Sequence, residues 1–497
     1  MFKNFPGYSL LEKIQKKKSH TRERKLPINA IKLIFIVAIT SVIALLPTES
    51  FGIEGLTVVH QRIISLFVFA ALMWLTEAMP SWVTSMVVVT VMLLTVSTSA
   101  FNFLRPEDGA GLVPFKSIMA CFANPTIMLF IGGFVLAIGL TKVKLDVALA
   151  RVLLKPFGTR SEVVLLGFIL VTAIFSAFVS NTATAAMMLA FLTPVLKSLP
   201  ADGKGRIALA LAIPVGANLG GMITPIGTPP NMIALDYLSS QGMGISFVDW
   251  TIKMAPFVIV LLLLSWLLLR FLFPFKQKHI KIEIEGDIKW NRHTWSVVAA
   301  FVITIFMWMF GTDLWGVDTN VVAMIPIAIF CATGILTRRD LEEINWSVLW
   351  MVAGGFALGV ALNYTNGTSP ALSALIVKSV PFDSFHPLVV MVLAGLICFG
   401  FSNFISHSAA TSLLVPVLGV VASGLGGALD SYGGAQAMLV GIAIASSVSM
   451  ILPISTPPNA IAHSTGFIEQ KDMMKVGIII GLLGLVLGYA MLIFIGF

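Results

Sequence analysis

Apolar runs long enough to cross a bilayer recur along the whole chain, from Ile31–Leu46 near one end to Val476–Phe497 at the other. Lipid offers no partner for a free N–H or C=O, so a spanning backbone must be a helix or a closed barrel. These runs are too long for barrel strands. The sequence therefore specifies an all-helical integral membrane protein. Only 11% of the residues are charged, 57% are hydrophobic, and the mean hydropathy is +0.94. A soluble domain carries roughly twice that charge. The net charge of +8 then reads as basic cytoplasmic loops, not as a nucleic-acid surface.

Two of the apolar regions are interrupted in the same way. Phe175-Ser176-Ala177-Phe178-Val179-Ser180-Asn181-Thr182 is echoed by Phe401-Ser402-Asn403-Phe404-Ile405-Ser406-His407-Ser408. Some fifty residues after each comes a second shared element, Gly227-Thr228-Pro229-Pro230-Asn231 and Ser455-Thr456-Pro457-Pro458-Asn459. Gly132-Gly133-Phe134 likewise returns as Gly354-Gly355-Phe356. Gly132, Ser180 and Pro229 are separated from their counterparts by 222, 226 and 228 residues. Three landmarks in one order at a nearly constant offset mark an internal duplication. Interruptions at matching places in two halves point to a transporter's binding site.

The organisation follows. Residues 1–30 form a basic tail, with Lys13, Lys16, Lys17, Lys18, Arg22, Arg24 and Lys25, and show no cleavable signal peptide. Residues 31–275 form a first half, whose fourth span is Ile127–Leu154, with a hairpin at 162–197 and a broken helix at 207–237. A polar linker occupies 276–293. Residues 294–497 form a second half with a span at Val321–Ile335, a hairpin at 387–418 and a broken helix at 435–463. Positive charge decides the topology. If both hairpins are re-entrant, Arg151, Lys155, Arg160, Lys204, Arg206, the linker's lysines, Arg338, Arg339, Lys471 and Lys475 all fall inside. The outer loops at 311–319 and 422–434 then hold acids but no Lys or Arg. This arrangement predicts about 11 transmembrane helices plus two re-entrant hairpins in an inverted repeat. The N-terminus lies inside and the C-terminus outside the cytoplasmic membrane. Glu77, just before Pro80, reads as a helix end.

At a hairpin tip or a broken span, helix ends leave backbone groups free. N-terminal ends attract anions; C-terminal ends and unwound carbonyls attract cations. Ser180, Asn181, Thr182, Ser406 and Ser408 supply donors for carboxylate oxygens, and the Asn181 carboxamide offers a carbonyl to a cation as well. A lone Ser-Asn-Thr is an ordinary helix cap; a duplicated one in apolar surroundings is a candidate site. The Pro pairs remove two donors each and break the helix. His407 stands where the first half has Asn181 and is either a neutral core ring or a protonated partner for an anion. Cys121, Cys331 and Cys398 make neither a disulfide framework nor a metal spacing. No nucleophile elbow, Gly-rich phosphate loop or Walker motif occurs, so neither an enzyme nor direct coupling to ATP is indicated. Broken helices also build channels, but inverted halves suit alternating access better.

With these motifs the chain resembles the divalent anion/sodium symporter (DASS) family, the INDY-type dicarboxylate transporters, over residues 31–497. The resemblance implies a homodimer in which a transport domain moves as an elevator against a scaffold. Its substrates are dicarboxylates such as succinate, malate, fumarate and 2-oxoglutarate, tricarboxylates or, in some branches, sulfate. It implies substrate contacts from Ser180, Asn181, Thr182, Ser406, His407 and Ser408, with Thr228, Pro229, Thr456 and Pro457 nearby. It places a first sodium ion at Ser176, Ser180, Asn181 and Gly227. A second would sit at Ser402, residue 407 and carbonyls near Ser455 and Thr456. No cofactor other than sodium is implied. The second triplet departs from the family pattern, since it reads Ser406-His407-Ser408. His407 puts the second sodium in question and favours exchange; the intact first motif favours sodium symport. Exchanger branches of the family also carry His there. A sulfate carrier of the same family and an anion channel are the further alternatives.

Overall fold

The computed structural model describes residues 29–200, 203–280, 290–365 and 369–496. The basic tail, apart from its last two residues, and most of the linker lie outside these. The described residues are helical throughout, with two isolated β-bridges and no strand. Eight helices are long and apolar enough to cross a membrane, and six shorter ones are apolar.

In the first half, α1 (Ala30–Leu45), α2 (Val58–Thr76) and α3 (Ser81–Thr95) are followed by α4 (Pro125–Lys142) and α5 (Leu145–Leu154). Then come α6 (Ser161–Phe178), α7 (Asn181–Ser198), α8 (Gly205–Gly220), α9 (Pro229–Ser240) and α10 (Phe247–Leu272). The second half holds α11 (Arg292–Trp315), α12 (Met324–Ala332), α13 (Trp346–Asn363) and α14 (Leu372–Ser379). It continues with α15 (Pro387–Ser402), α16 (His407–Leu425), α17 (Gly434–Ser447), α18 (Pro457–Ser464) and α19 (Gln470–Phe494).

Two expected spans need correction. The run Ile127–Leu154 is not one helix. It ends at Lys142, and Lys144 adopts a left-handed φ of 58° before α5 begins. α5 and its positional counterpart α14 each carry an apolar stripe and basic residues, Arg151 and Lys378, so hydropathy alone merged α5 with its neighbour. The expected span Val321–Ile335 is likewise two short pieces, Thr319–Val322 and α12, jointed at Ala323. Glu77 caps α2 in the left-handed region, the helix end that Pro80 implies.

The packing of α8 explains how the first hairpin sits. A side chain at Gly216 would strike the Ile169 carbonyl, and one at Gly220 would strike the backbone of Ala173. Gly216 and Gly220 thus let α6 and α8 approach backbone to backbone, as small residues four apart do in membranes. Contacts climb together along both chains, since Ser176 reaches the Ala217 carbonyl and Thr224 that of Ala177. The two helices are parallel, and the hairpin tip at Val179–Ser180 lies level with the break at 221–228. Beyond the break, the 12 residues of α9 extend about 18 Å further. The hairpin turns back where the broken helix still continues. In the second half, Cys398 meets Ile442 and Ser402 meets Ser446, so α15 and α17 are parallel in the same way.

The halves meet head to tail. Gln436 at the start of α17 donates to the Met243 carbonyl just beyond α9, 3.1 Å away. Arg206 at the start of α8 lies over the Phe467 ring just beyond α18, 4.7 Å from its centroid. Each broken helix begins beside the place where the other ends. The contacts of α4 and α13 are also exchanged. Gly132 of α4 abuts Ala323 of the second half, and Gly354 of α13 abuts Ser85 of α3. Lys142 completes the first of these contacts with an ion pair to Asp340 and a 2.6 Å bond to the Ile335 carbonyl.

Candidate functional site

The four helix starts α7, α9, α16 and α18 open at the two tips and the two breaks. At the first tip, Ser180 is the N-cap of α7 and its hydroxyl accepts from the Ala183 N–H at 3.3 Å. Ser176, one turn back on α6, shares its hydroxyl proton between Asn181 Oδ1 at 2.6 Å and the Ala217 carbonyl at 2.7 Å. The Asn181 carboxamide lies flat over Gly221, where any side chain would collide with it. Gly227 presses equally close to the Gly221 carbonyl. Asn231 straps this loop from below. Its Nδ2 donates to the carbonyls of Gly221 at 3.1 Å and Thr224 at 2.9 Å. Ser176, Asn181, Gly227 and the unwound carbonyls therefore occupy one small polar knot. Ser180, Asn181 and Thr182 are half-buried at its surface, and Thr228 is buried as the extended N-cap of α9.

The second tip is built alike but filled differently. Ser406 caps α16, accepting from the Ala409 N–H at 3.2 Å. Asn403 spans the gap between tip and break, donating to the Phe399 carbonyl at 2.7 Å and accepting from the Ile451 N–H at 2.8 Å. Thr456 caps α18 through the Asn459 N–H at 3.2 Å. Asn459 repeats the strap seen at Asn231, donating to the carbonyls of Met450 at 2.9 Å and Leu452 at 3.1 Å. His407 does not mimic Asn181. Its Nε2 lies 2.6 Å from the Ser449 carbonyl, and since a carbonyl only accepts, that nitrogen carries a proton. Ser446 donates to the His407 carbonyl at 3.0 Å and receives the hydroxyl proton of Ser402 at 3.2 Å. Ser402 and residue 407 thus join through Ser446. Ser455 turns instead toward the Leu452 carbonyl, 2.7 Å away. Ser406 and Pro457 are exposed while Ser408 is buried.

The two sites touch through one bond, 3.0 Å from Asn218 Nδ2 to Asn459 Oδ1. Asn218, Ser446 and Ser449 were not foreseen from the sequence. The available signal was the run Ser446-Ser447-Val448-Ser449 at the end of an apolar helix, polar without being charged. No group of three or more metal-ligating His, Cys, Asp or Glu side chains occurs among the described residues. Any cation held here would be bound by hydroxyls, carboxamides and carbonyls, the neutral oxygen donors of Ser176, Asn181 and the first break. That donor set fits an alkali ion better than a transition metal.

Comparison with known proteins agrees with this architecture. A family model described as the sodium:sulfate symporter transmembrane region matches residues 28–496. An uncharacterised transporter of Haemophilus influenzae is 31% identical over 84% of this chain and 88% of its own length. The sodium-dependent dicarboxylate transporter SdcS of Staphylococcus saprophyticus is 28% identical over 85% of this chain and 84% of its own. The inorganic phosphate transporter PHO87 of Saccharomyces cerevisiae is 28% identical over 90% of this chain, which spans 47% of its length. In fold, the chain is similar to the Alcanivorax borkumensis YdaH transporter, with a TM-score of 0.52 at 12% identity over 86% of this chain and 97% of that one. The chain is a multi-pass membrane transporter and belongs to the sodium:sulfate symporter family, the divalent anion/sodium symporters.

Proposed function

We propose that the chain carries C4 and C5 dicarboxylates across the cytoplasmic membrane by exchange. Two like cradles suit a substrate with two like ends. Each tip pairs a serine cap with a fresh helix N-terminus, which together offer hydroxyl and backbone donors to one carboxylate. Ser180, Asn181 and Thr182 would hold one end and Ser406, His407 and Ser408 the other, with Thr228, Pro229, Thr456 and Pro457 framing the breaks. The dicarboxylate relatives support this substrate class, whereas sulfate and phosphate are single-centred anions that need only one cradle.

The observation that carries exchange is the bond from His407 to the Ser449 carbonyl. The ring N–H occupies the Ser449 carbonyl, so neither that oxygen nor the ring nitrogen bonded to it is free to face a cation beside residue 407. Sodium-coupled symport is the second reading. It rests on the first knot, where Ser176, Ser180, Asn181 and Gly227 keep the neutral oxygen donors a sodium ion takes, and on the sodium-dependent relatives. In either case the two halves work as an inverted repeat, with re-entrant hairpins moving as an elevator within a homodimer. On the positive-inside bias of the basic loops, the N-terminus would lie inside and the C-terminus outside.

Counterflow in proteoliposomes tests this. Labelled succinate should enter only vesicles preloaded with unlabelled dicarboxylate, with or without sodium, and Asn181→Ala should abolish entry. Uptake into empty vesicles driven by a sodium gradient would establish symport instead. Normal counterflow by Asn181→Ala would remove the first tip from the site.

A further inference from the structure

The two tips carry matching apolar residues that meet different surroundings. Phe178 and Phe404 each stand two residues before the tip serine, and Ile226 and Ile454 each stand three before the first proline of the break. At the first tip both are seated. The Phe178 ring lies edge-on to Phe301 of α11, with centroids 6.3 Å apart. Ile226 lies 3.9 Å from where a Cβ on Gly133 of α4 would stand. At the second tip neither is seated: Phe404 is 65% exposed and Ile454 is 71% exposed. Their neighbours Ser406 and Pro457 are exposed too. A polar, partly unwound tip is not sustained against hydrocarbon, so this face opens on water.

The duplication supplies a counterpart for each seat. Gly133 corresponds to Gly355 of α13, in the second Gly-Gly-Phe, where a Cβ would lie 3.0 Å from Ser412 of α16. One turn further, a Cβ on Gly359 would meet nothing within 4 Å. The exchanged contacts of Gly132 with Ala323 and Gly354 with Ser85 pair α12 with α3, and hence α11 with α2.

We propose that these four side chains are the two alternating seats of the transport cycle. In the state described here the first tip is docked and the second is open. In the opposite state Ile454 packs on α13 at Gly359 and Phe404 packs on α2, while Phe178 and Ile226 come free. The inference rests on the reading of the chain as an inverted repeat that alternates, and it assigns positioning residues which do not touch the substrate. Seating one apolar pair as the other is released keeps the buried apolar area similar in the two states, so neither becomes a trap.

Paired cysteines in the full-length protein test this, in a background with Cys121, Cys331 and Cys398 replaced by Ser. Phe178→Cys with Phe301→Cys, and Ile454→Cys with Gly359→Cys, should each cross-link. Each cross-link should abolish dicarboxylate counterflow, and reduction should restore it. A water-soluble maleimide should label Ile454→Cys while the first pair is locked. Truncation of the second seat, Phe404→Ala with Ile454→Ala, should shift cross-linking toward the first pair by at least about fivefold, since both packing contacts of that seat are lost. A second pair that never links while the first links and blocks transport would overturn the second seat and leave the transporter reading standing. A first pair that links without blocking transport would overturn the first seat. Absence of saturable counterflow in the background protein would instead count against the dicarboxylate reading itself. Failure of the maleimide to label Ile454→Cys would mean that this face meets lipid and would overturn the proposal.

Discussion

A single side chain separates the two tips. Asn181 spreads its carboxamide over Gly221 and shares a proton with Ser176, whereas His407 donates from its ring to the carbonyl of Ser449, the residue that corresponds to Gly221. Replacing His407 by Asn frees that carbonyl and restores a carbonyl oxygen of the kind Asn181 presents. The expected outcome is transport that becomes sodium-dependent, with labelled succinate entering empty vesicles under a sodium gradient. Unchanged, sodium-indifferent exchange in His407→Asn would show that the ring is not what excludes the second ion. The sequence names both residues through their motifs, because a polar triplet in an apolar run stands out. It does not name Asn218 or Ser449. Their roles depend on which carbonyls the unwound backbone presents, and no spacing rule encodes that. Asn231 and Asn459 fall between these cases: the motif contains them, but their work as straps under each break appears only with the fold.

Among the elements, the breaks were the most legible and the joints the least. A Pro pair at the start of a helix announces itself, and α9 and α18 both begin on one. The turn from α4 into α5 has no such mark, since Lys142-Val143-Lys144 is unremarkable until Lys144 adopts positive φ. Beyond it, Asp146 in the first turn of α5 is buried. Burial pushes its carboxyl up from 3.8 to about 6, against the opposing hydrogen bonds from the Val147 N–H and the Thr141 hydroxyl. α5 lies outside the apolar spans, so this acid titrates with the aqueous pH. The folded protein holds this proton more tightly than the unfolded chain does. Stability from this group is therefore greatest below pH 3.8 and is lost as pH rises through about 6. The loss by pH 7 is about 3 kcal/mol. Asp146→Asn should remove that slope. In detergent its thermal unfolding midpoint should exceed that of the parent at pH 7.5, and the two should converge near pH 4. Equal midpoints at both pH values would mean that the carboxylate is solvated in the protein.

For the molecule as a whole, the exchange of contacts between halves decides what can fold alone. α9 reaches the far end of its own broken helix and lies against α16 and α17 of the second half; Tyr237 fills the space that Gly419 leaves. α18 returns the arrangement against α7 and α8. α4 and α13 are each clasped by the opposite half through Gly132 and Gly354. A half expressed by itself leaves these small-residue grooves unfilled, and in lipid, association depends on such close packing. The linker between the halves, 276–293, is described only at its two ends. The described part nearest the first half is fastened locally: Ser161 bonds the Gln277 carbonyl at 2.5 Å and its N–H the Lys278 carbonyl at 3.0 Å, and Ile280 N–H reaches the Thr159 carbonyl at 2.7 Å. A cut between Ile280 and Trp290 spares all three bonds. Co-expression of 1–280 with 290–497 should therefore give two fragments that co-purify and catalyse counterflow, whereas either fragment alone should fail to accumulate. The expectation follows from interlocked halves and not from the linker's chemistry. A first half that accumulates and binds dicarboxylate by itself would mean that its own contacts suffice, and that the crosswise packing contributes little to stability.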